Sequence, residues 1–129
     1  MTVLVIDDSR FLQLGIQKVL EQAGYGTILV SDGQKAISLA IEKRPDLVLL
    51  DIMLPGVPGT SVLKSLRENS VTAKTPVIVL TGLSGMNEAR LKSEGADAYL
   101  NKAELDLQNG GQPLLKILNK VMAARARPL

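Results

Sequence analysis

The stretch Leu47-Val48-Leu49-Leu50-Asp51 places a carboxylate directly after four consecutive apolar residues. A short, continuously apolar run of this kind is typical of a strand that is buried on both faces of a parallel sheet. Two more runs, at residues 3–6 and 77–80, are equally apolar, and each is also followed by a polar residue. The sequence therefore predicts three central strands that all end in a polar side chain.

Amphipathic stretches occupy the gaps between the apolar runs. After the first run, apolar residues recur at helical spacing between a possible N-cap at Ser9 and a terminating Gly24. Similar patterns predict helices near residues 36–41, 62–66 and 114–122. A weaker helix is predicted from about Ser84 to Glu94, with few inward apolar residues: Met86, Ala89 and Leu91. The predicted strands are residues 2–6, 26–30, 46–50, 76–80 and 98–100.

This alternation of five strands with five helices predicts an α/β fold. Parallel strands need helical crossovers, so the sheet should be covered on both faces. The less apolar strands, residues 27–30 and 98–100, fit the two edges. Because the crossovers are almost always right-handed, the polar residues that end the central strands should meet at one rim. We find no repeat or linker, and we expect residues 1–129 to form a single domain.

Composition excludes several classes of function. The chain has neither cysteine nor histidine, which rules out disulfides, thiolate metal sites and histidine-based catalysis. Its apolar runs are far shorter than the ~20 residues of a membrane span, and the N-terminus lacks the pattern of a secretory signal. We therefore expect a cytoplasmic location. The net charge is +2 with dispersed Lys and Arg, which argues against nucleic-acid binding.

Polar side chains with chemical potential follow the predicted strands. Asp7 and Asp8 follow the first strand, Asp51 the third, Thr81 the fourth and Lys102 the fifth. Each of them alone has an ordinary explanation as a helix cap, a turn residue or a solvated surface residue. Open parallel sheets, however, bind ligands just beyond the carboxyl ends of their strands.

Taken together, these residues predict a cation site. Two carboxylates 4 Å apart repel each other by about 4 kcal/mol at an effective dielectric constant of 20. A fold that gathers three of them therefore needs a cation, and oxygen ligands favour a hard ion such as Mg²⁺. Carboxylates, a metal ion, a hydroxyl and a lysine around one point are the groups that phosphoryl transfer uses.

One ordered set of motifs runs through the chain: Asp7-Asp8, Leu49-Leu50-Asp51-Ile52-Met53-Leu54-Pro55, Gly59, Thr81-Gly82 and Lys102. In the order and spacing of these motifs, the sequence resembles the receiver domains of response regulators in two-component signalling. The resemblance covers essentially the whole chain. It implies a flavodoxin-like fold, with a doubly wound sheet in the strand order 2-1-3-4-5.

The resemblance also implies a phosphoacceptor and its cofactor. Asp51 would take a phosphoryl group from a sensor histidine kinase, from a histidine phosphotransfer protein or from a small phosphodonor. Mg²⁺ would be bound by the side chains of Asp8 and Asp51, by the backbone carbonyl of Met53 and, largely through water, by Asp7. The chain would catalyse only its own phosphorylation and dephosphorylation, so it is not expected to be an enzyme in the usual sense.

Further roles follow from the same resemblance. Lys102 and Thr81 would each contact a phosphoryl oxygen. Thr81 and Tyr99 would form a switch, in which Tyr99 rotates inward when Thr81 is drawn toward the phosphoryl group. The surface of the fourth helix, fifth strand and fifth helix would then change shape for a downstream partner.

Three features depart from the family's pattern. The lysine is usually followed by proline, whereas Ala103 follows Lys102, and we expect either a trans peptide bond or a strained cis one. Met53 and Leu83 stand where many relatives carry polar groups that contact the attacking water, so we predict slow self-dephosphorylation. The Gly-rich segment 103–112 is long and predicts an irregular final crossover.

Two other functions remain open at the level of sequence. A receiver-like adaptor would act by protein contact alone, without phosphorylation. A phosphatase of the haloacid-dehalogenase type would also use Mg²⁺ and a phosphorylated Asp. That class needs its nucleophile after the first strand in an Asp-x-Asp arrangement, whereas this chain has adjacent Asp7-Asp8. No output module is recognisable, so the chain either acts by direct binding or belongs to a longer protein.

Overall fold

A parallel sheet organises the part of the chain that the computed structural model describes, residues 1–82 and 93–126. Its strands are β1 (Thr2–Ile6), β2 (Gly26–Val30), β3 (Leu47–Asp51), β4 (Val77–Thr81) and β5 (Ala98–Asn101). They lie in the order β2-β1-β3-β4-β5, and every neighbouring pair is parallel. The predicted strand order and the edge positions of β2 and β5 are thus confirmed.

The third and fourth strands begin and end one residue later than predicted. Asp51 pairs with Leu80, and Thr81 pairs with Asn101. Backbone pairing does not depend on the polarity of a side chain, so the ladder continues one residue past the last apolar position. As a result, both Asp51 and Thr81 are held by the sheet itself.

Helices cover both faces of this sheet: α1 (Arg10–Gln22), α2 (Gly33–Lys43), α3 (Gly59–Glu68) and α4 (Gln112–Ala126). Ser9 caps α1 as predicted, since its side chain accepts a hydrogen bond from the Leu12 N–H at 3.2 Å. Asp32 caps α2 in the same way. Helices α1 and α2 therefore begin after residues whose side chains satisfy their first N–H groups, whereas α3 begins directly after Pro58.

The chain has the predicted flavodoxin-like α/β fold. Four of the five predicted helices lie within the described residues, whereas the helix predicted from Ser84 to Glu94 falls almost entirely outside them. Within residues 1–82 and 93–126, no helix combines the length and the apolar character that crossing a bilayer requires.

Two apolar cores lie on opposite faces of the sheet. One lies beneath α2 and α3, and its members include Leu4, Ile6, Leu50, Leu63 and Val79. The other lies beneath α1 and α4, and its members include Val3, Val5, Ile16, Leu49 and Leu118. Successive strand residues alternate between the two cores. Because both faces are covered, the central strands are apolar throughout, which is the pattern that the sequence displays.

The connection from β5 to α4 is irregular, as predicted. It contains two short 3₁₀ turns, Lys102–Glu104 and Leu107–Asn109. Leu105 lies between these turns and is buried in the core beneath α1 and α4. The bond between Lys102 and Ala103 is trans, which is one of the two predicted alternatives.

Candidate functional site

Three acidic side chains meet at the carboxyl rim of the sheet. One carboxylate oxygen from each of Asp7, Asp8 and Asp51 lies within 4.8 Å of the other two. Asp7 and Asp51 are almost fully buried, at 0% and 1% exposure, whereas Asp8 is exposed. The structure therefore brings together the acids that the sequence predicts, with one face of the cluster open to solvent.

The Asp7 carboxylate is held in place by its own backbone surroundings. Asp7 Oδ1 accepts a hydrogen bond from the Ser9 N–H at 2.8 Å, so the turn into α1 fixes the side chain. The Asp7 N–H donates to the Val30 carbonyl oxygen at 3.1 Å, which extends the pairing of β1 with β2 by one residue. Asp7 therefore contributes a carboxylate of fixed orientation.

The Asp51 carboxylate is fixed by the loop that follows β3. Asp51 Oδ1 accepts a hydrogen bond from the Met53 N–H at 2.9 Å, while the Met53 side chain is 59% exposed. The loop turns back so closely that a Cβ at Gly59 would lie 2.5 Å from the Ile52 Cα. Only glycine allows this approach, which gives Gly59 a physical role in shaping the loop beside Asp51.

A lysine ammonium joins the two buried acids. Lys102 Nζ lies 3.0 Å from Asp7 Oδ2 and 3.0 Å from Asp51 Oδ2, and its side chain is 24% exposed. The turn that carries Lys102 is capped by Asn101, whose Oδ1 accepts from the Ala103 N–H at 2.8 Å. This hydrogen bond uses the N–H group that a proline at position 103 would lack, so the turn aims Lys102 at Asp51 without proline.

The electrostatics of the site favour a cation. Burial raises the pKa of the Asp7 carboxyl and the charge of Asp51 adds to this, whereas the Ser9 N–H and Lys102 act in the opposite direction. Burial alone would lower the pKa of Lys102, but its contacts with Asp51 and Asp7 outweigh this and raise the pKa. The ammonium group therefore stays charged. Its single positive charge is shared between two buried carboxyl groups, those of Asp7 and Asp51.

Thr81 and Tyr99 lie on the neighbouring strands β4 and β5. Thr81 is 6% exposed at the end of β4, one residue beyond Leu80, which pairs with Asp51. Tyr99 pairs with Val79 and packs partly against the core beneath α2 and α3. Because Val79 and Thr81 are two residues apart on one strand, Thr81 and Tyr99 share a face of the sheet.

The donor set suits a hard divalent cation such as Mg²⁺. Every ligand atom that this acidic cluster offers is a carboxylate oxygen. Their summed negative charge exceeds the single positive charge of Lys102. The residues present therefore fit Mg²⁺ better than a thiolate- or imidazole-preferring metal.

The motifs alone do not identify one buried polar residue at this rim, Gln13. It lies on α1, and its side chain contacts the backbone of Asp7. A signal was available, because Gln13 precedes Ile16 and Leu20 at helical spacing and so stands on the apolar face of the helix.

The fold and the site together define a class of protein: doubly wound α/β domains with an acidic, lysine-bridged pocket at the carboxyl rim. Within that class, the sequence profile described as "Response regulator receiver domain" matches residues 3–109. The chain belongs to this family. It is a signalling domain of the two-component type, and its similarity to known proteins supports the same assignment.

Relatives and solved structures cover most of the chain. The polar-differentiation response regulator DivK of Brucella anthropi is 35% identical over 102 residues, which span 78% of this chain and 83% of DivK. The chemotaxis protein CheY4 of Vibrio cholerae superposes with a TM-score of 0.81 at 30% identity, covering 93% of this chain and 97% of CheY4. The receiver domain of the sensor histidine kinase PA1611 from Pseudomonas aeruginosa gives 0.82 at 27% identity, covering 95% and 97%, and that structure has a magnesium ion in its active-site cleft.

Proposed function

We propose that this chain is a phosphoacceptor, in which Asp51 receives a phosphoryl group in a Mg²⁺-dependent reaction. The donor is a phosphohistidine on a sensor histidine kinase or on a histidine phosphotransfer protein. The proposal treats residues 1–129 as one receiver domain that works in the cytoplasm. It predicts no activity on other substrates, only phosphorylation and dephosphorylation of the chain itself.

The arrangement of Lys102 and the acids carries this proposal. Lys102 Nζ contacts both Asp7 Oδ2 and Asp51 Oδ2 at 3.0 Å, and Asp8 lies in the same cluster. A buried aspartate with a lysine on one side and further acids on the other suits transfer of a charged group, because the transferred oxygens need fixed positive charge around them.

The chemistry requires one bond to form and one to break. A carboxylate oxygen of Asp51 forms a bond to phosphorus while the P–N bond of the phosphohistidine breaks, and the electron pair of that bond stays on the imidazole. The Met53 N–H donates to Asp51 Oδ1 and so keeps the carboxylate oriented during the attack. Lys102, already in contact with Asp51, neutralises charge on the incoming phosphoryl oxygens.

The acids of the rim would hold Mg²⁺. Asp8 and Asp51 are proposed as direct carboxylate ligands, the Met53 backbone carbonyl as a further ligand and Asp7 as a ligand that acts largely through water. When bound, Mg²⁺ supplies positive charge that neutralises phosphoryl oxygens and orients the group for in-line transfer.

Thr81 and Tyr99 are proposed as the switch. The Thr81 hydroxyl would donate to a phosphoryl oxygen, and Tyr99 would respond from the neighbouring strand. A groove of about 320 Å³ between β5 and α4, with Tyr99, Ile117 and Val121 among its walls, supports a partner-binding role for this surface. Movement of Tyr99 changes one wall of that groove.

Mass spectrometry of the intact protein tests the proposal directly. With a small phosphodonor and Mg²⁺, the wild-type protein should gain one phosphoryl group and Asp51→Asn should gain none. Asp46→Asn is the matched control, since Asp46 is an exposed acid on the same chain that precedes the same strand. It should be labelled as fully as wild type. Failure of wild type to gain mass under these conditions would favour the unphosphorylated adaptor instead.

A further inference from the structure

Gln13 is a polar residue on the apolar face of α1. It precedes Ile16 by three residues and Leu20 by seven, a spacing that places all three on one side of the helix. Its side chain is only 4% exposed. Burying an amide without hydrogen bonds destabilises a fold by about 1–3 kcal/mol, so its contacts must compensate for its position.

The Gln13 amide donates to the ends of two strands. Its Nε2 lies 2.6 Å from the Asp7 carbonyl oxygen and 3.0 Å from the Val30 carbonyl oxygen. Both neighbours are acceptors only, which requires the amide nitrogen rather than its oxygen to face them. One side chain therefore ties α1 to the carboxyl ends of β1 and β2.

The sheet does not hold the Asp7 carbonyl by itself. The paired residues of β1 end at Ile6, which lies opposite Val30 on one side and Leu50 on the other. The Asp7 N–H still reaches the Val30 carbonyl, but the Asp7 carbonyl accepts its hydrogen bond from Gln13. The peptide unit between Asp7 and Asp8 is thus fixed from α1.

We propose that Gln13 is a positioning residue of the acid site: it fixes the Asp7–Asp8 peptide so that both carboxylates converge with Asp51 on a divalent cation. This inference rests on the proposed function, since it concerns the same pocket. Gln13 acts through the main chain and needs no contact with the cation or with the phosphoryl group. Removing such an outer partner typically weakens metal binding by about 10–100-fold.

Calorimetric titration with Mg²⁺ tests this role. Gln13→Met keeps an unbranched side chain but removes both donors, and we expect its Mg²⁺ dissociation constant to rise by about tenfold or more. Gln17→Met is the matched control. Gln17 lies one turn later on α1, and its Nε2 donates to Thr27 Oγ1 at 3.0 Å, near the opposite end of β2. The control should bind Mg²⁺ within about twofold of wild type, as expected for a change away from the site.

Amide NMR supplies a second readout on the wild-type chain in case Gln13→Met does not fold. The Gln13 side-chain amide resonance should shift when Mg²⁺ is added, and that of Gln17 should stay in place. A purely structural role would lower the unfolding free energy of Gln13→Met and leave its Mg²⁺ affinity unchanged. That result, or an unshifted Gln13 amide, overturns the inference while the proposed function stands. Absence of Mg²⁺ uptake by wild type overturns both.

Discussion

Lys102 bridges two buried carboxylates that would otherwise face each other without a counter-charge. Its Nζ is 3.0 Å from each of them, and the pKa of Lys102 is raised by these contacts despite burial. Removing one partner of a buried ionic contact leaves the other uncompensated, which destabilises a fold more than loss of an exposed pair does. The lysine therefore stabilises the folded arrangement of the two acids as well as serving the proposed chemistry.

Lys102→Met should lower the unfolding free energy by about 1–3 kcal/mol at neutral pH when divalent ions are chelated. The loss should shrink as the pH falls through the pKa of the folded Asp7 carboxyl, which burial raises above 3.8, the ordinary pKa of an aspartate. Below pH 3.8 the Asp7 part of the loss should be gone, because the carboxyl is then protonated in both folded and unfolded chains. The lysine is charged throughout this range, since its pKa lies above 10.5. Urea unfolding of wild type and Lys102→Met, at neutral pH and again below pH 3.8, measures how the loss of stability depends on pH.

Lys43→Met provides the comparison for that experiment. Lys43 pairs with Glu42 at 3.9 Å, and both side chains are largely exposed. Its substitution should change stability by less than about 0.5 kcal/mol at either pH. If Lys102→Met lost the same stability at neutral and acidic pH, the loss could not come from the charge of Asp7.

Met53 would set the environment for loss of the proposed phosphoryl group. Its N–H holds Asp51, but its exposed thioether cannot orient a water molecule well. Met53→Asn should therefore shorten the lifetime of the phosphorylated chain by about tenfold, equivalent to 1.4 kcal/mol in activation free energy. Timed mass spectrometry after removal of the phosphodonor measures this lifetime.

Val71→Asn is the control for Met53→Asn. Val71 is also an exposed apolar residue, at 38%, but it lies in the turn between α3 and β4. The phosphorylated form of Val71→Asn should have the same lifetime as that of wild type. Loss of the phosphoryl group from wild type within seconds would contradict the expected slow dephosphorylation.

At the scale of elements, an arginine and an aspartate connect α3, β4, β5 and α4. Arg67 donates to the Gly95 and Thr75 carbonyl oxygens at 3.0 and 2.7 Å and to Asp97 Oδ1 at 3.1 Å. Asp97 also accepts from the Val77 N–H, and Arg125 of α4 pairs with it. Burial lowers the pKa of Arg67, and the charge of Asp97 opposes this shift. Asp97, just before β5, thus compensates the partly buried Arg67 guanidinium.

Asp97→Asn should destabilise the fold by roughly 1.5–3 kcal/mol, the range for hydrogen bonds that involve charged groups. Asp46→Asn is the control, because it removes a carboxylate that accepts a hydrogen bond from a strand N–H, as Asp97 does from Val77. Asp46 precedes β3 and accepts from the Thr2 N–H at 2.7 Å, but it is exposed and has no arginine partner among the described ion pairs. Its loss should stay below about 1 kcal/mol. If urea unfolding showed the same loss of unfolding free energy for Asp97→Asn and Asp46→Asn, the pairing of Asp97 with Arg67 and Arg125 would contribute nothing to stability.

Prediction from sequence succeeded where one element carries its own signal. Continuous apolar runs identified the central strands, and the polar residues that follow predicted strands identified Asp7, Asp51 and Lys102 as neighbours. Contacts between distant elements left no such signal. Arg67 meets Asp97 across 30 positions, and the pairing depends on the tertiary fold rather than on any local pattern. The same holds for Gln13, whose polarity is visible in the sequence but whose carbonyl partners are not.

At the scale of the whole molecule, topology joins the acid site to the far edge of the sheet. Lys102 follows β5 directly, and Tyr99 lies three residues before it on that strand. The proposed phosphorylation would add up to about two negative charges at Asp51 and so would change what Lys102 contacts. Because β5 is short and lies at the edge, we expect a shift at its carboxyl end to reach Tyr99 and the groove against α4.

Tyrosine fluorescence can report this coupling, since the chain has two tyrosines and no tryptophan. Tyr25→Phe leaves Tyr99 as the single tyrosine and removes one exposed hydrogen bond, from Tyr25 Oη to Asn119 Oδ1, which should lower stability by about 1 kcal/mol at most. Phosphodonor and Mg²⁺ should then change the Tyr99 emission, and adding Asp51→Asn should abolish the change. In the converse variant, Tyr99→Phe, the emission of Tyr25 should stay constant, because Tyr25 lies at the amino end of β2, away from the acid rim. Equal responses from both variants would show a general effect on the protein rather than movement of Tyr99.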